Sequence, residues 1–107
     1  MIKRYGFIVK AEHYQHPRDN TEMNTLGFST QVVGVCSDEQ AIVAAKSLIE
    51  QEVQVIELCG GFGVESAEKI IAELNSPIPI GYVTFNQQEQ RKLTEVVSEI
   101  GDNINKA

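Results

Sequence analysis

Apolar positions along this chain follow two periods, and the switches between them mark its elements. In Lys3–Ala11, Tyr5, Phe7 and Val9 fall on one side of an extended segment and Gly6 and Ile8 on the other, with Lys3, Arg4 and Lys10 at its ends. Both sides are apolar, the pattern of a strand covered on both faces. Phe28–Cys36, with its VVGVC core, and the run Val53–Cys59 read as two further strands, and Ile80–Phe85, after Pro77 and Pro79, as a fourth. The period between them is helical. Ala41, Ile42, Ala45, Leu48 and Ile49 form one stripe to about Glu52, Ala67, Ile70, Ile71 and Leu74 a second, and Leu93, Val96, Val97 and Ile100 a third before Gly101. Ser37 with Gln40, and Asn86 with Glu89, have the spacing of helix N-caps. Asp38 and Glu39 add negative charge where the first helix dipole favours it.

The segment Glu12–Gly27 has neither period. Pro17 is suited to the first position of a helix, so a short irregular helix within Pro17–Asn24, or a mobile flap, is expected here. Strands alternating with helices make parallel βαβ units with right-handed crossovers. The expected fold is a single α/β domain over residues 1–107: a small four-stranded, mainly parallel sheet with helices on both faces, a Rossmann-like or flavodoxin-like half. The strand order is expected to be 2-1-3-4, with sequential 1-2-3-4 as the alternative.

Composition narrows the partners. The chain has 107 residues, 42% hydrophobic and 22% charged, with a net charge of −6. An acidic chain without basic clusters is a poor match for nucleic acid or an anionic membrane surface. No apolar run approaches the roughly 20 residues of a membrane span, and the start is too short in apolar residues for a secretory signal. Two cysteines without such a signal fit a reducing cytoplasm. A four-stranded open sheet has two unpaired edges, so a homo-oligomer, most simply a dimer, is expected, with the last helix as the cover of its own sheet or of a partner's.

The chemistry gathers where strand, glycine turn and helix follow one another, VQVIELCGGFGVESAEKIIAEL from Val53 to Leu74. Backbone amides of Gly60, Gly61, Phe62 and Gly63 at the start of a helix suit an anion. GGFG lacks the lysine of a P-loop and the spacing of GxGxxG, which argues against a nucleoside triphosphate. Strand alternation places Val53, Val55, Glu57 and Cys59 on one face, and a carboxylate there needs a partner or a role. Two negative charges two strand residues apart, roughly 6.5–7 Å, repel by about 2.5 kcal/mol at an effective dielectric near 20. A helix terminus returns roughly 0.3–1 kcal/mol. Glu57 is therefore the better acid or base and Cys59 a thiol, slow to react. Cys36 ends a strand at the same edge, with His13 in the loop after the first strand. Together with His16 these match no zinc spacing, so no metal site is expected.

The run IELCGGFG, preceded by VVGV and a helix, resembles a family of short bacterial proteins of unknown function. The likeness spans the first strand to the fourth and implies a small α/β domain. A second likeness, to the phosphate-binding strand–GG–helix turns of barrel enzymes, is one of analogy. The function expected from these residues is binding of a small anionic or phosphorylated molecule at the Gly60–Gly63 turn. The alternative is an enzyme with Glu57 as general acid/base and the turn amides stabilising an oxyanion or phosphate. The sequence names no cofactor.

Overall fold

A computed structural model describes the backbone of residues 1–106 and the side chains of residues 1–100. In chain order the elements are β1 (Arg4–Lys10), β2 (Asn20–Asn24), β3 (Ser29–Val35), α1 (Asp38–Glu50), β4 (Val55–Leu58), a 3₁₀ turn (Gly60–Phe62), α2 (Gly63–Leu74), β5 (Ile80–Tyr82) and α3 (Gln87–Lys106). The sheet runs β2-β3-β1-β4-β5. The four expected strands are present in the expected 2-1-3-4 order, all parallel to their neighbours.

The fifth strand is a correction. Asn20–Asn24 is neither a helix nor a flap but an edge strand, antiparallel to β3 from Asn20 opposite Val33 to Asn24 opposite Ser29. All five of its residues are exposed, so no hydrophobic alternation announces it. Its ladder with β3 holds it, and the Thr25–Phe28 turn fixes the register, with Thr25 N–H donating to Phe28 O at 2.8 Å and Phe28 N–H to the Thr25 hydroxyl at 3.1 Å.

A second correction concerns the layers. The buried side chains Ile8, Val33, Val35, Ile56 and Leu58 of the strands meet Ala41, Ala44, Ala45 and Leu48 of α1 and Ala67 and Ile70 of α2 in one core. β3–α1–β4 and β4–α2–β5 both step the same way across the sheet, so right-handed crossovers put both helices on one face. Among the described residues, no helix supplies the expected cover on the other face. There the rows Thr30–Tyr5–Val55 and Val32–Phe7–Glu57 lie half-buried, with the Tyr5 and Phe7 rings stacked at 6.5 Å. Among the described residues, the third helix, α3, packs extensively along no other element.

Local signals explain the helix ends. Ser37 caps α1 through its side chain, accepting Gln40 N–H at 3.1 Å, and Asn86 accepts Glu89 N–H at 3.0 Å. α1 closes in a Schellman motif: Val53 N–H donates to Leu48 O and Glu52 N–H to Ile49 O, with Glu52 in the left-handed region at φ 66°. Val53 therefore belongs to the helix cap, buried beside Leu48, rather than to the Glu57 face of the strand. A Cβ on Gly6 would lie 3.1 Å from Leu48 Cδ1 and 3.2 Å from Val53 Cγ1, so the cap presses on the middle of β1. Asn75 ends α2 at φ 42°, its N–H on Ile71 O.

Two substitutions should move stability in opposite directions. Ile8→Ala, at a fully buried position, should cost about 2–5 kcal/mol in urea unfolding. Glu52→Gly removes a left-handed non-glycine residue and only an exposed pair with Arg4, so it should raise stability by about 0.5 kcal/mol.

Candidate functional site

At the carboxyl edge of the parallel strands the chain is already engaged with itself. Lys10, the last residue of β1, places its ammonium 2.8 Å from Asp38 Oδ1 at the start of α1 and 5.4 Å from the centroid of the Phe62 ring. That pair, with the Ser66 hydroxyl and Lys69 also acting on it, holds the Asp38 carboxyl below the usual carboxylate range. Two of the turn amides are spent internally: Phe62 N–H donates to Cys59 O at 3.2 Å, and Gly63 N–H to Gly60 O. Gly60 lies beneath Val83 and Phe85, and Gly61 beside Lys10 O and Cys59 Sγ. Gly63 is needed for its backbone, at φ 76°.

Cys59 and Glu57 part company. Cys59 N–H continues the ladder to Ile8 O at 3.0 Å, and Lys10 N–H then donates to Cys59 Sγ at 3.3 Å. The sulfur thus takes the place of the next ladder carbonyl and packs against the helix-side core. Glu57 lies on the open face between Phe7 and Gly81, facing the Tyr5 hydroxyl. Burial of Tyr5 and the Glu57 carboxylate together push the Tyr5 hydroxyl up to about 12. Cys36, at the same edge as Cys59, is exposed.

The loop between β1 and β2 closes a different cavity, of about 280 Å³, on the open face. Val9, Val32, Gly34 and Thr21 form its floor, and Tyr14, Arg18, Asp19 and Asn20 its walls. The Tyr14 ring sits on Gly34, where a Cβ would be 2.7 Å from it. Asp19 ties the loop together, accepting Gln15 N–H at 2.8 Å and Arg18 Nη2 at 2.7 Å. Arg18 Nη2 also donates to His13 O at 2.7 Å, while Nη1 has no protein acceptor among the described residues. Gln40 Oε1 accepts both His16 N–H and Cys36 N–H at 3.3 Å, which pins the loop to the start of α1. His13, at φ 72°, turns the chain and contributes its carbonyl rather than its ring.

The expected site residues therefore separate. Cys36, Cys59 and Gly60–Gly63 share the strand edge, Glu57 is on the open face, and His13 supports the cavity wall through Arg18. Among the described residues, no three of His, Cys, Asp and Glu come together as metal ligands, and no helix is long and apolar enough to cross a membrane. Tyr14, Arg18, Asn20 and Thr21 escape a reading by periodicity because they lie in the one segment without a period. The available signal was Gly34 inside VVGVC, since a strand-interior glycine marks a close approach.

A model for a family of unknown function, DUF6506, matches residues 3–98. No curated protein and no solved structure matches the chain.

The Tyr5–Glu57 pair should be visible in a tyrosine titration, because the chain has three tyrosines and no tryptophan. One tyrosine should ionise near 12, and Glu57→Gln should bring it down. The folded value lies above the ordinary one of about 10. The stability this group contributes is therefore complete below that pH and is lost as pH rises toward the folded value. A Tyr5 that titrates unchanged in Glu57→Gln would remove Glu57 from its surroundings.

Proposed function

We propose, for this chain that belongs to the DUF6506 family of unknown function, that it binds a small anionic molecule with an apolar body in the cavity beneath the β1–β2 loop. The observation that carries this reading is the arrangement of the cavity: an apolar floor, an aromatic wall, and an arginine with donors to spare. Its volume of about 280 Å³ is at the small end of ligand pockets, which suits a compact carboxylate rather than a nucleotide. Val9 and Val32 would take the apolar body, with the Tyr14 ring along its side. Arg18 Nη1 would donate to the anionic group, with Thr21 and Asn20 supplying further polar contacts. The Asp19 pair holds the guanidinium in place and offsets its charge, so recognition rests on hydrogen-bond geometry more than on net attraction.

The glycine turn is a weaker place for the same ligand. Its Phe62 and Gly63 amides are used internally, and the chain's own Asp38 carboxylate already takes Lys10 beside it. The two free thiols suit a reducing cytoplasm as the working compartment.

A series of monocarboxylates from acetate to benzoate, followed by amide chemical shifts, tests the reading. Shifts should centre on Tyr14, Arg18, Thr21 and Gly34 and strengthen with apolar size. Arg18→Ala should weaken benzoate binding about tenfold or more, and Gly34→Val, which displaces Tyr14, should abolish it. Shifts confined to residues 60–63, with inorganic phosphate outcompeting the carboxylates, would return the site to the glycine turn. No shifts at either place would remove the proposal.

A further inference from the structure

Two apolar surfaces of this chain lack a partner, and they differ in shape. One is the open sheet face, where Tyr5, Phe7 and Val55 lie half-buried beyond the reach of the β1–β2 loop. The other is the stripe of α3, where Val96, Val97 and Ile100 are 51, 60 and 55% exposed. Among the described residues, α3 packs extensively along no other element, and the molecule is drawn out. Its radius of gyration is 15.4 Å and its extents are 47 × 31 × 30 Å, whereas a compact chain of this length has a radius near 13 Å.

We infer that a second copy of this chain covers the open face: α3 of each protomer lies on the sheet of the other. A half-open apolar sheet face and a projecting amphipathic helix are complementary. Each chain holds one of each, so reciprocal exchange about a two-fold axis leaves neither unmatched. Size favours the reciprocal form. A stable interface takes roughly 20–30 residues from each side, more than the apolar stripe of one 20-residue helix supplies, so both surfaces of each chain must be used. A helix α3 of 20 residues, about 30 Å long, spans the full width of a five-stranded sheet, about 20 Å from first strand to last. The inference stands apart from the ligand reading, since the residues it uses are not those lining the cavity.

Sedimentation of the full chain over the micromolar range tests it, with Val97→Glu on the helix and Val55→Glu on the face. Each variant alone should weaken the dimer by more than about tenfold. An equal mixture of the two should regain much of it, because one of its two contacts pairs an intact helix with an intact face. Circular dichroism and the thermal midpoint show whether each variant is folded. If Val55→Glu is not, Thr30→Glu, at a half-exposed polar position of the same face, replaces it in the mixture. A wild-type chain that stays monomeric would overturn the inference, as α3 docking on its own sheet would give. So would a dimer broken by Val97→Glu but by neither face variant, the mark of helix-to-helix contact. A mixture that fails to recover would overturn it as well.

Discussion

Ile8, in the middle of the central strand and without exposed surface, is the contact through which sheet and helices hold each other. Ile56 and Leu58 on one side of it and Val33 and Val35 on the other continue the same apolar layer, and Leu48 and Ile70 of the two helices close it. Each such side chain contributes about 1.5–3 kcal/mol by burial, and every one of them is on a single face. α1 and α2 reach that face because both crossovers step in one direction across the sheet. Among the described residues no helix packs extensively along the other face, so its apolar rows stay half open. What the molecule can bind follows from that one-sided burial.

The β1–β2 loop turns part of the open face into a cavity. Its stability does not come from the Arg18–Asp19 pair, whose arginine side chain is 65% exposed and whose worth is of the order of a surface salt bridge. It comes from fixed polar anchors: Gln40 Oε1 holding two backbone amides, Asp19 O receiving Gly34 N–H at 2.8 Å, and Tyr14 seated on a position that only glycine allows. Gln40 is thereby both a residue of the helix cap and the clasp of the loop.

Most of the fold could be read from the sequence because burial imposes a period. The four parallel strands, the α1 and α2 stripes and the Ser37 and Asn86 caps all announce themselves in that way. β2 did not, since its NTEMN residues bury nothing and are held by backbone pairing alone. Alternation in β1 correctly separated Ile8 from Tyr5 and Phe7, but apolar residues on both sides of a strand do not show whether the second side is covered by the same chain. Val53 misled for a related reason: it continues an apolar run, yet its burial belongs to the helix cap. The glycine turn was legible as a turn. That its amides are used internally, and that Lys10 and Asp38 meet beside it, depends on side chains 28 residues apart, a pairing no local pattern contains.

Hydrogen exchange measured at low and high protein concentration tests the one-sided architecture most directly. Amides of β1 and β4 should be protected at both concentrations, because the helix-side core fixes their ladders. Amides of α3 should exchange rapidly in dilute solution and slow as concentration rises. Protection of α3 that is equally strong in dilute solution would mean that the chain covers both faces of its own sheet, and would contradict the account.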